Sequence, residues 1–156
     1  MTTQHQPSSR TYTPPQIPSR PAGALTLGLS ATSTRDLHEA IGRGLPTQAI
    51  KAFAETLQLT LQRMLELLDL NEGTYHANRR QGGVIKSGLV NRHLIDMARA
   101  TEAARSYFGD LPAAQRWLTT PSATFDGKTP LEYARYPGGT EYVTTILARL
   151  EHGVYT

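Results

Sequence analysis

The stretch that decides the fold is FDGKTPLEYARYPGGTEYVTTILARLEHGVY, residues 125–155. Near its start lies a helix opening. Thr129 stands where an N-cap side chain accepts the first free backbone N–H, and Pro130 follows at the first helical position, where its missing N–H is no loss. Glu132 completes a capping box with Thr129. Further on, Val143, Ile146, Leu147 and Leu150 repeat at the i, i+3, i+4, i+7 spacing of one apolar helical stripe, which Gly153 closes as a C-terminal glycine. Upstream, Pro112 to about Thr119 predicts another short helix, carrying Trp117 and Leu118. Residues 107–156 therefore read as three short helices.

Working outward, Gly109 ends a long helix from about Lys86 to Phe108. Val90, Leu94, Met97, Ala98, Thr101, Ala104 and Phe108 share its apolar face, whereas Arg92, Arg99 and Arg105 lie off it; such a helix can bridge two halves of a molecule. Gly82 and Gly83 separate it from a pair of helices joined by a tight turn. Thr60 caps the first, with Leu61, Met64, Leu65 and Leu68 as its stripe; the turn passes through Asp69 and Leu70; Asn71 caps the second, which runs to about Gln81. Two helices joined by three or four residues fit the DNA-binding helix-turn-helix. On the second, Thr74, His76, Asn78, Arg79 and Arg80 offer the groups that read base edges and grip phosphates, Lys86 adds a cation just beyond, and Tyr75 packs inward. The same pattern also fits an ordinary helical hairpin in a bundle. Farther upstream, Ser33 and Asp36 open a helix with Leu37 and Ile41 on its buried side, ended by Gly42 and Gly44. Pro46 to about Gln58 forms another, striped by Ile50, Phe53, Ala54 and Leu57. The fold class is all-α.

Charge and composition narrow the chemistry. The 156 residues carry a net charge of +3, and its distribution is uneven. Residues 79–105 hold six Lys or Arg against two acids, whereas 31–78 hold four against six and 106–156 four against five. A clustered basic segment is the footprint of a polyanion partner, or else a solvated helix face. With no cysteine, disulfides, zinc–thiolate sites and thiol nucleophiles are excluded. No apolar run approaches the roughly 18 residues of a membrane span, and the polar N-terminus lacks a secretory signal, so a cytoplasmic location is expected. His5, His38, His76, His93 and His152 show no metal-ligand spacing, no Gly-x-Ser-x-Gly elbow occurs, and Arg80-Gln81-Gly82-Gly83 lacks the Lys-Ser/Thr of a phosphate loop. No catalytic residue, metal or cofactor is expected. Residues 1–30, with Pro7, Pro14, Pro15, Pro18 and Pro21 among polar side chains, read as a disordered tail. An arm that folds onto DNA or a neighbouring subunit is the alternative.

Taken in order, Trp117-Leu118, the Gly127-x-Thr129-Pro130-Leu131 turn and the closing Leu147-x-Arg149-x-Glu151-x-Gly153-Val154-Tyr155 resemble the toxin-binding domain of the Xre/MbcA/ParS antitoxins. The resemblance covers roughly residues 44–156. Beyond the tail read from composition over 1–30, it implies an Xre-like helix-turn-helix domain over 31–106 and a small helical toxin-binding domain over 107–156. It further implies an antitoxin of a type II pair whose toxin is a RES-domain enzyme, associated with NAD degradation or ADP-ribosyl transfer. Trp117, Arg149, Glu151, His152, Val154 and Tyr155 are then the toxin-binding residues, with the terminal segment occluding the toxin's active site. Operator DNA is the second partner, read by a homodimer within a hetero-oligomeric complex that represses its own operon. Three positions depart from the family's usual text: Leu65 replaces a small residue, Asp69 a turn glycine, and Gly73 falls early in the reading helix. A stand-alone transcription regulator whose C-terminal helices only dimerise is the competing expectation, and a frayed terminus is the plainer reading of residues 149–156.

Overall fold

Local capping starts most of the helices. Ser33 accepts the Asp36 N–H and opens α1, Thr34–Arg43; Thr60 accepts from Arg63 and opens α3, Leu61–Leu67. Asn71 accepts from Gly73 and Thr74 at α4, Glu72–Arg80, Ser87 from Val90 at α5, Gly88–Phe108, and Thr129 from Glu132 at α7, Pro130–Ala134. Both expected capping boxes form, Ser33 with Asp36 and Thr129 with Glu132. The other helices are α2, Thr47–Thr56, α6, Leu111–Leu118, and α8, Gly139–Glu151, with a 3-10 turn at Ala123–Phe125. The computed structural model describes residues 22–24 and 26–153. Among these there is no strand, and the one sheet-like feature is an antiparallel bridge between Pro46 and Val84.

The bridge stands in for a cap that α2 lacks. Pro46 offers no side-chain acceptor, but the Thr47 N–H reaches the Gly83 carbonyl at 2.8 Å and the Ile85 N–H the Leu45 carbonyl at 2.7 Å. Asn91, 1% exposed, ties both segments to α5: its Oδ1 accepts from the Leu45 N–H at 3.1 Å and its Nδ2 donates to the Ile85 carbonyl at 2.9 Å. A buried amide with both ends paired fixes how the loops sit.

The long helix is the axis. α5 packs against α6, α7 and α8 on one side and against α1 toward its start, while α2 packs on α3 and α4. Leu94, Met97, Ala98, Ala100 and Ala104 are sealed at 0% exposure, continuous with Phe53 and Met64 on one side and Leu118 and Val143 on the other. A single hydrophobic core therefore runs through both halves.

Order begins earlier than the tail expected over 1–30 allows. Ala24 and Leu27 are buried, and Glu102 of α5 accepts from the Gly23 N–H at 2.6 Å and from the Thr26 N–H and hydroxyl at 3.3 and 3.2 Å. Gly23 is needed for this strap, since its φ is +92° and an added Cβ would sit 3.2 Å from the Arg99 side chain. Residues 1–21 lie outside the described residues.

Candidate functional site

The helix-turn-helix forms as the spacing implies. Asp69 enters the left-handed region at φ 52°, its N–H meets the Glu66 carbonyl at 3.1 Å and the Leu70 N–H meets the Leu65 carbonyl at 3.0 Å. This paired-bond stop is usually made by glycine; aspartate takes its place here. Leu65 is buried beneath the turn. Beyond it, α4 presents Thr74, Arg79 and Arg80 to solvent, and Lys86 is exposed in the following loop with its Nζ 2.9 Å from Gln81 Oε1. His76 is half-exposed, its Nε2 3.5 Å from the Glu72 carboxylate.

Asn78 departs from its expected role. It is buried at 5% exposure, three residues from the equally buried Tyr75, so the helical period puts both on the inner face and Asn78 cannot reach a groove. The chemistry of its side chain suggested reading; its register excludes it. A feature overlooked in the sequence is the acidic start of this element. Glu66, Asp69 and Glu72 line a shallow depression with Gln62 and Asn71 at the N-terminal end of α4, while Arg79 and Arg80 lie in its last turn. This polarity suits the helix dipole. The three-residue spacing of the acids was visible in the sequence.

The C-terminal half is built on aromatic rings. Phe125, 1% exposed, meets Trp117, Tyr133 and Tyr142 with centroids at 5.8, 5.4 and 5.7 Å. Trp117 is half-buried, with Phe108 on its other side at 6.0 Å, so packing accounts for much of its ring. The α7–α8 junction is closed by Gly139, where an added Cβ would fall 2.0 Å from the Tyr133 carbonyl oxygen. α8 is then anchored through buried Val143 and Leu147, and Arg149, Glu151 and His152 stand exposed at its far end. Val154 and Tyr155 lie outside the described residues. Tyr136, Tyr142 and Leu89 are the large apolar side chains most open to solvent among those described.

Polar contacts join the halves. Arg63 of α3 pairs with Glu132 of α7 at 3.1 Å. Burial pushes the Glu132 carboxyl up, but the Thr129 N–H and hydroxyl and the Arg63 guanidinium more than offset it, leaving it below its ordinary value. Arg135 donates Nη1 to the Leu67 carbonyl and to Asp69 Oδ2, the latter at 3.0 Å. Beside it a cleft of about 340 Å³ is lined by Leu89, Arg92, His93, Asp96, Arg99 and Arg135, among others. Arg99 lies 3.7 Å from Asp96 and 3.8 Å from Glu141, so acids match much of the positive charge in the cleft. Burial raises the Asp96 carboxyl against the pull of Arg99. Burial, then Arg135, lowers the His93 imidazole, whose Nδ1 is enclosed without a partner. No group of His, Asp and Glu able to hold a metal occurs among the described residues, and no helix there is long and apolar enough to cross a membrane.

Two family models match the chain. Residues 36–87 match the antitoxin Xre-like helix-turn-helix domain, and residues 103–153 the antitoxin Xre/MbcA/ParS C-terminal toxin-binding domain. The stretch between the matches is the greater part of α5. No curated protein matches the chain.

Proposed function

The chain belongs to the Xre-type antitoxins, and from that premise we propose that it neutralises a RES-domain toxin by seating its C-terminal segment in the toxin's active site. The observation that carries this reading is the placement of α8: Val143 and Leu147 hold it from beneath, and Arg149, Glu151 and His152 project at its free end. Residues 149–156 form the plug, with Val154 and Tyr155 completing it and Trp117 supporting the surface from within. Inside a closed pocket Arg149 pairs with a toxin acid or Glu151 with a toxin arginine, each contact stronger than a neutral one. The toxin consumes NAD or transfers ADP-ribose; the antitoxin acts by binding, without catalysis or cofactor, in the cytoplasm, as one member of a type II pair.

Residues 31–106 serve DNA and 107–156 the toxin. In a homodimer, two copies of α4 read half-sites about one helical turn, roughly 34 Å, apart on the operator of the chain's own operon. Thr74 and His76 face base edges, and Arg79, Arg80 and Lys86 grip phosphates. Co-expression tests the reading. A RES-domain toxin encoded beside this chain arrests growth when expressed alone, is tolerated with the full chain and co-purifies with it. Continued arrest in the presence of the full chain contradicts the proposal.

A further inference from the structure

Two helices of the DNA-reading half end in the same unusual way. At the end of α2, Gln58 adopts φ 54°, its N–H meets the Glu55 carbonyl at 3.1 Å and the Leu59 N–H meets the Ala54 carbonyl at 2.9 Å. At the end of α3, Asp69, Glu66, Leu70 and Leu65 repeat that arrangement bond for bond. Glycine normally makes this stop because the left-handed conformation crowds a Cβ; here it is made twice without glycine. The stop satisfies two of the terminal carbonyls and leaves the next one, Thr56 in α2 and Leu67 in α3, without a helical partner.

Both of these carbonyls are taken by side chains from the C-terminal half. Gln115 of α6 donates Nε2 to the Thr56 carbonyl at 2.5 Å. Arg135, the C-cap of α7, donates Nη1 to the Leu67 carbonyl and also holds Asp69, the left-handed residue of the turn. The Arg135 side chain is only 16% exposed, so its guanidinium is held against the protein at the Leu67 carbonyl, while the Asp69 carboxylate it also meets is open to solvent. α4 opens at Glu72, three residues beyond Asp69, so the way the α3 stop is held enters its direction together with its packing on α2. We propose that Arg135, seconded by Gln115, is a positioning residue for DNA reading: the toxin-binding half caps the helix ends of the DNA-binding half and thereby helps fix the angle of α4. The inference rests on α4 being the reading helix.

The test uses the full chain and a labelled fragment of its own promoter, with affinity measured across a series of salt concentrations. Arg135→Met keeps the packed stem and removes the donors; Arg135→Lys restores one. The expected result is about a tenfold loss of affinity in Arg135→Met, partial recovery in Arg135→Lys, and a salt dependence parallel to the parent's, because the same phosphates stay neutralised. Faster amide hydrogen exchange at Asp69 and Leu70 in Arg135→Met, measured without DNA, accompanies it. Unchanged affinity, unchanged exchange at those amides, or a flattened salt slope marking Arg135 as a direct phosphate ligand each overturns the proposal. If the parent's binding ignores Arg79→Ala and Arg80→Ala, the α4 reading itself has failed and this inference falls with it; the exchange data still show whether Arg135 holds the turn.

Discussion

In the DNA-reading half the informative side chains point away from the molecule, whereas in the C-terminal half they point at one another. Thr74, Arg79 and Arg80 are exposed on α4, while Phe125 is enclosed by Trp117, Tyr133 and Tyr142. Charge acts at a distance and costs the fold little, because exposed cations are screened and touch few neighbours. Aromatic packing acts only at close range and carries stability. Substitutions in the first region should therefore change binding without changing the fold, and substitutions in the second should act first on stability.

The largest expected effect is Gly139→Ala. With backbone oxygen 2.0 Å from the new Cβ, no rotamer relieves the clash, and α7 and α8 must separate at a cost beyond ordinary overpacking, on the order of 5 kcal/mol or more. Thermal unfolding that matches the parent would show that the helices do not pack this closely. Phe125→Ala comes next. Removing a side chain 1% exposed should cost about 3 to 5 kcal/mol in denaturant unfolding, and a loss below about 1 kcal/mol would mean that the ring cluster is not a core. On the other side of the comparison, replacing Arg79 and Arg80 together with alanine should leave stability within about 0.5 kcal/mol. Operator affinity should fall, and the slope of log affinity against log salt should flatten by about 0.9 for each phosphate that is no longer neutralised. A large stability loss there would erase the distinction between the regions.

The smallest effect is a titration at the joint between them. His93 has its folded value held below its ordinary 6.5 by burial and then by Arg135, so the unfolded chain binds the proton more readily. Stability is then full above about 6.5 and is lost as pH falls from there toward the folded value. Melting temperature followed against pH should show this decline in the parent, and His93→Gln should flatten it. A parent curve that rises as pH falls through this window would reverse the sign.

What could be read from the sequence follows the reach of each interaction. Caps join residues two or three apart, so Ser33, Thr60, Asn71 and Thr129 declared their helices directly, and the α8 stripe did the same. Asn78 was misplaced because the nature of its side chain was weighed ahead of its three-residue spacing from Tyr75. The strap over residues 22–24 and 26–30 escaped notice because what orders it is Glu102, 79 and 76 residues away along the chain from Gly23 and Thr26. Gln115 and Arg135 reach across 59 and 68 residues to their carbonyls, and nothing near them in sequence signals those bonds. Asp69 looked like a flaw in a glycine turn until Arg135 supplied its partner.

The plug is tested most directly by NAD turnover of the purified toxin, titrated with the full chain and with a chain ending at residue 148. The full chain should abolish turnover at stoichiometric ratio, while the shortened chain should still bind through α6 to α8 yet leave most of the activity. Equal inhibition by both would contradict the assignment of Arg149, Glu151, His152, Val154 and Tyr155 to the toxin's active site.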